Sequence, residues 1–164
     1  MIIVADTTPL ISLLKIKHFD LLSKLYGEVH IPRAVFNELT ENSDFPNEAE
    51  IIKTCSFLKI HDDINPEKVN ILRRATGLDL GESEAIILAD ESDTKVLLMD
   101  EAHGRSVAEQ MNIPITGVIG VLLAAYKKSF LSEDEIKESI EIMRNSNRFI
   151  SERLYKFLLS QISD

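Results

Sequence analysis

Short apolar runs alternate along the chain with longer stretches of helical periodicity. Ile2-Ile3-Val4-Ala5 is apolar throughout, the mark of a strand buried on both faces of a parallel sheet. Asp6-Thr7 ends it. Thr8-Pro9 then opens a helix, with Thr8 as N-cap and Pro9 in the first helical position. Leu10, Ile11, Leu13, Leu14 and Ile16 give that helix one apolar face. The same reading predicts a short helix over 19–25, a strand over 28–31 and a helix from Pro32 to about residue 40. A loop over 42–47, a helix over 48–53 and an edge strand over 57–61 follow. Pro66 opens a helix that ends near Gly77, and Asp79 caps a helix over 80–91. A second buried strand over 95–99 ends at Asp100. A helix then runs to 111, followed by a short strand at 114–115 and a helix over 117–129 capped by Thr116. Ser132-x-x-Glu135 is a capping box, and the last helix covers 151–161.

Strands alternating with helices predict an α/β fold, a three-layer α/β/α arrangement around a short central parallel sheet. The length of 164 residues fits a single unit over 1–164, with helices from about residue 132 packing on the core or on a partner. The last helix carries an apolar stripe of Leu154, Phe157, Leu158 and Ile162.

Parallel sheets of this kind place ligand sites at the carboxyl ends of their strands. Two strand ends repeat one design there. Ile2-Ile3-Val4-Ala5 is followed by Asp6, and Val96-Leu97-Leu98-Met99 by Asp100; Glu101 competes with Asp100, whose strand-end position is the better one. Glu82 shares a helix face with Ala85, Ile86 and Ala89, whereas Glu84 is expected to point the other way. Asp79 and Glu82 also have the spacing of an N-cap and its third residue, so Glu82 has a purely structural use open to it. Gly81, a poor helix former in that first turn, signals a close backbone approach or a ligand nearby. Glu38 lies at the margin of the face formed by Val35, Phe36 and Leu39.

Gathered in one place, such carboxylates repel and raise one another's pKa, and a hard divalent cation relieves that. Mg²⁺ takes oxygen ligands and keeps positions for water and phosphate. His18, His30, His61 and His103 are scattered without zinc-site spacing and read as surface residues. Neither a phosphate-binding Gly-rich loop nor a Gly-x-Ser-x-Gly elbow is present. An aspartate-dependent phosphatase with Asp6 as nucleophile would want a second Asp where Thr8 stands.

The segments Val-Ala-Asp-Thr-Thr-Pro-Leu-Ile-Ser-Leu, Ile-Pro-Arg-Ala-Val-Phe-Asn-Glu-Leu, Leu-Asp-Leu-Gly-Glu-Ser-Glu-Ala-Ile and Val-Leu-Leu-Met-Asp-Glu resemble, in order and spacing, the PIN-domain superfamily. The likeness reaches to about Lys128 and is strongest to a prokaryotic branch related to VapC-type toxins. The tail from Phe149 to Tyr155 also resembles that branch. The resemblance implies a ribonuclease dependent on Mg²⁺ or Mn²⁺, often a homodimer and sometimes the toxin paired with a small antitoxin protein. It implies Asp6, Glu38, Glu82 and Asp100 as catalytic metal ligands, on one metal or two. Thr7 or Thr8 would support Asp6, and Thr116 would be a polar neighbour. Many members have Asp where Glu82 stands, so Asp79 shares the claim to the third place.

The single cysteine, Cys55, excludes an internal disulfide and suits a reducing compartment. Apolar runs are too short to span a membrane, and the start lacks the basic region of a signal peptide, so a cytoplasmic protein is expected. The net charge of −9 opposes broad electrostatic binding of nucleic acid. With the Glu82 departure, it favours the contrary reading of an inactive PIN-like binding module.

Overall fold

The computed structural model describes residues 1–42, 44–146 and 151–162. Five parallel strands form one sheet: β1 (Ile2–Ala5), β2 (Val29–Pro32), β3 (Leu58–His61), β4 (Thr94–Leu98) and β5 (Ile115–Thr116). Their order is β3-β2-β1-β4-β5, so the two strands that run into Asp6 and Asp100 are neighbours. Pairing Ala5 with Leu98 brings the carboxyl ends of β1 and β4 to the same edge, and the Asp6 N–H donates to the Leu98 carbonyl at 2.9 Å.

Among the described residues ten helices flank this sheet. One face carries α1 (Thr7–Lys15), α2 (Leu21–Tyr26), α8 (Val118–Lys127), α9 (Glu133–Asn145) and α10 (Glu152–Ile162). They enclose a core that includes Ile3, Ala5, Leu10, Leu13, Val29, Ile31, Leu122 and Ile136. The other face carries α6 (Leu80–Glu91) and α7 (Ala102–Gln110) over Val4, Ala85, Ile86, Leu97 and Met99. Alternate residues of β1 thus feed the two cores, which is why the strand is apolar at every position. This is the expected three-layer α/β/α arrangement. α3 (Arg33–Glu41) packs on α1, on α6 and on α4 (Pro46–Thr54), while α5 (Pro66–Thr76) packs on α6.

Helix starts follow their local chemistry. Asn65 caps α5 by accepting the Glu67 and Lys68 N–H groups, and Gly77 ends that helix in the left-handed region at φ 77°. Capping boxes open α6 at Asp79 and α9 at Ser132. Two expected caps are corrected. Thr8 is not an N-cap: α1 begins at Thr7, and Asp6 stands in the N-cap position. Thr116 is not one either, because it is the last residue of β5 and Gly117 precedes α8. The stripe on the last helix splits: Leu158 and Ile162 are buried in the core, whereas Leu154 and Phe157 are about half exposed. Phe149 and Ile150, part of the tail resemblance, lie outside the described residues.

Candidate active site

Asp6 follows β1 directly and is almost completely buried, at 3% exposure. Burial pushes its carboxyl up to about 7; the Thr7 backbone N–H works against this, and the charges of Glu82, Glu38 and Asp79 add to it. α3 delivers Glu38 to the same place from an exposed position. Partial desolvation raises its pKa, and Asp79 and Glu82 raise it further. Glu82, half-buried in the first turn of α6, is raised by desolvation first, with Asp79 and Glu101 pushing the same way and His103 opposing. Asp6, Glu38, Glu82 and Asp79 therefore form one mutually repelling group.

Gly81 explains how Glu38 can come so close. A Cβ at Gly81 would collide with Glu38 Oε1, so only a glycine in the first turn of α6 leaves room for that carboxyl. Thr7 sits between the first two ligand candidates. Its hydroxyl lies near enough to Glu38 to lower that group's pKa. Yet Oγ1 is buried and makes no hydrogen bond of good geometry. Thr8, the other hydroxyl of the pair, is half-buried in the first turn of α1.

The structural use of Glu82 is realised. Asp79 Oδ1 accepts the Glu82 N–H at 2.8 Å, and Glu82 Oε2 accepts the Asp79 N–H at 3.0 Å. Each carboxyl uses one oxygen in this box and keeps the other, so capping and cation binding are compatible.

Asp100 stands on the adjacent strand end, half-buried. Its Oδ1 and Oδ2 accept the Val118 N–H at 3.1 and 3.3 Å, at the start of α8. A Cβ at Gly117 would strike Asp100 Oδ1, and one at Gly120 would strike Thr116 Oγ1, so small residues let α8 approach both side chains. Arg105 Nη1 donates to the Met99 carbonyl at 2.8 Å, which holds the chain just before Asp100.

Glu84 on α6 reaches α3: its Oε2 accepts the Ala34 N–H at 3.1 Å, at the start of the helix that carries Glu38. One further expectation is revised. His30 and His61 are not scattered, because β2–β3 pairing brings them together. Arg73 and Arg74 drew no notice in the sequence. With Asn70, Gly77 and Leu78 they line a cavity of about 430 Å³, and among the described residues neither makes an ion pair.

The chain matches a family described as a PIN domain over residues 2–164, and it belongs to that family. Comparison with curated proteins and with solved structures gives no match. PIN domains are generally nucleases, typically with divalent metal ions. No helix among the described residues is long and apolar enough to cross a membrane.

The donor set fits a hard divalent cation in its chemistry: every candidate is a carboxylate oxygen, and the charge that raises Asp6 is acidic throughout. Among the described residues no three His, Cys, Asp or Glu side chains are drawn tightly enough together to hold an ion as they stand. The fit is thus one of chemistry and placement rather than of closed coordination geometry.

Proposed function

We propose that this PIN domain is a metal-dependent ribonuclease that hydrolyses phosphodiester bonds at the carboxyl edge of its sheet. The observation that carries the reading is Asp6: a buried carboxyl with a pKa pushed to about 7, surrounded by further carboxylates. A carboxyl perturbed this strongly by burial and by neighbouring charges is a candidate for catalysis. Asp6, Glu38 and Asp100 bind Mg²⁺ or Mn²⁺ in this reading, with Glu82 or Asp79 supplying the third place between them. The bound ion supplies Lewis acidity, which lowers the pKa of water and offsets charge developing on phosphate.

The side chains have separable tasks. Asp6 is held rigidly by the β1–β4 pairing and by burial. Glu38 is the adjustable partner, admitted by Gly81. Asp100 is oriented by the Val118 N–H. Thr7 places a hydroxyl between Asp6 and Glu38 to steady whichever oxygen faces it. Arg73 and Arg74, in the last turn of α5 shortly before Asp79 in the chain, give an incoming RNA backbone cations that the overall charge of −9 otherwise denies it. The exposed Leu154 and Phe157 are a surface for a second copy of the chain; sedimentation that gives only monomer at high concentration contradicts that part.

Cleavage of a single-stranded RNA is the test. The wild type degrades it with Mg²⁺ or Mn²⁺, chelation stops the reaction, and Asp6→Asn does not cleave. Equal degradation by wild type and variant assigns the activity elsewhere. Inertness of the wild type with both ions across varied RNAs favours the inactive binding module.

A further inference from the structure

His30 and His61 are 31 residues apart in sequence and meet at the β2–β3 edge of the sheet. The register pairs His30 with Lys59 and Pro32 with His61, which puts both imidazoles on one face at a diagonal. His30 Nδ1 and His61 Nε2 face each other at 2.7 Å, with ring centroids 5.0 Å apart. Only one proton fits between two nitrogens so placed. Their outer nitrogens face carboxylates: Glu28 Oε1 lies 4.0 Å from His30 Nε2, and Asp63 Oδ1 lies 3.9 Å from His61 Nδ1. The nearby cation, Lys59, is drawn toward Glu28 Oε2 at 3.4 Å.

We propose that His30 and His61 form a binding site for a borderline transition-metal ion such as Zn²⁺, separate from the carboxylate cluster. The facing nitrogens, His30 Nδ1 and His61 Nε2, are the ligands. Imidazole suits Zn²⁺, Cu²⁺ and Ni²⁺, whereas carboxylates suit Mg²⁺ and Mn²⁺, so the two sites select different ions. Two bonds of about 2.0–2.1 Å at a tetrahedral angle set the nitrogens roughly 3.4 Å apart. A small outward turn of the two half-buried rings provides that spacing. Glu28 and Asp63, 4.0 and 3.9 Å from the outer nitrogens, are a side-chain turn away from accepting the outer N–H of metal-bound histidines and fixing their tautomers. The pKa of His30 is lowered, by burial first and then by His61, which keeps its ring in the neutral, ligating form near neutral pH. Water completes the coordination, because among the described residues no group of three His, Cys, Asp or Glu closes on one point. The ion would tie edge strand β3 to β2, beside the Arg33–Asp62 pair at the start of α3, whose Nε–Oδ1 distance is 2.6 Å.

The test uses chelator-treated protein and Zn²⁺ alone, followed by calorimetry and by long-range ¹H–¹⁵N spectra of the imidazoles. Asp6→Asn serves as the background, so that the carboxylate cluster does not contribute. One Zn²⁺ is expected to bind per chain there. His61→Ala, at a half-exposed position that leaves the core intact, weakens binding by about tenfold or more. On Zn²⁺ addition the resonances of His30 Nδ1 and His61 Nε2 move to ligand positions while the outer nitrogens stay protonated. The proposal is overturned if Zn²⁺ binds equally with and without His61, or if the imidazole resonances do not respond to it. Loss of RNA cleavage has no bearing on it.

Discussion

Replacing Asp6 by Asn removes a charge from a nearly closed site, and the structure gives the size of the effect. In the unfolded chain the carboxyl has a value of 3.8, and in the metal-free fold about 7. The folded state therefore holds a proton that the unfolded state gives up across that interval. Stability falls as pH rises from about 4 to about 7, and the full penalty is present above it. At about 1.4 kcal/mol per pKa unit, a shift of roughly three units costs about 4 kcal/mol. Domains of this kind have roughly 5–15 kcal/mol in total, so the loss is large. Asn escapes the charge but still leaves a polar amide to bury, at about 1–3 kcal/mol. The net gain for Asp6→Asn in metal-free protein is then about 1–3 kcal/mol at about pH 8, and nothing or a slight loss at about pH 5. At this chain length that gain corresponds to roughly 2–12 °C in Tm. Thermal or urea denaturation with chelator present reads it directly. Addition of Mn²⁺ at about pH 8 then stabilises the wild type and not the variant, because binding takes the deprotonated carboxylate. Parallel stability curves for the two proteins from about pH 5 to about pH 8 would refute the reasoning, since burial among like charges could not then be what perturbs Asp6.

Other substitutions probe single contacts. In Gly81→Ala the new Cβ meets only the flexible end of Glu38, so the fold survives while Glu38 swings out. RNA cleavage is expected to drop on the order of 10²-fold without a lower Tm, and unchanged cleavage contradicts a role for Glu38. Glu84→Gln removes a charge from the start of α3, where Oε2 accepts the Ala34 N–H; denaturation is expected to show a loss of about 0.3–1 kcal/mol, and no loss would dismiss the cap. Changing Arg73 and Arg74 together to Ala is expected to weaken RNA binding with Mn²⁺ affinity intact. If each contacts one phosphate, the plot of log affinity against log salt flattens by about 1.4 for single strands; an unchanged slope places the backbone elsewhere.

The elements of the fold could be read from the sequence because their signals are local. Pro66 starts a helix through its fixed φ, Asp79 and Ser132 through bonds made within one turn, and β1 announces its double burial by being apolar throughout. Beyond the adjacency of β1 and β4 that the repeated Asp6 and Asp100 strand ends suggest, strand order could not be read, since it rests on pairing between distant segments. The same cause hid the His30–His61 contact, which exists only in the β2–β3 register. The Glu84 contact with the Ala34 N–H was hidden in the same way, since it joins residues 50 apart in the chain. The start of α1 lies two residues earlier than Thr8-Pro9 suggests: Asp6 holds the N-cap position and Thr7 is the first helical residue, although Thr8-Pro9 is a good cap signal. The position of Gly81 announced a close approach, but only the structure names Glu38 as what approaches.

The central claim is that one divalent cation site is built on Asp6 at the carboxyl edge of the sheet. A crystal soaked in Mn²⁺, with anomalous differences measured at the manganese edge, tests it most directly. A peak within about 2.1–2.2 Å of an Asp6 carboxylate oxygen, shared with Glu38 or Asp100 and absent from Asp6→Asn crystals, is the predicted result. Manganese found only at other acidic surfaces, with Asp6 still buried and unliganded, would contradict the account.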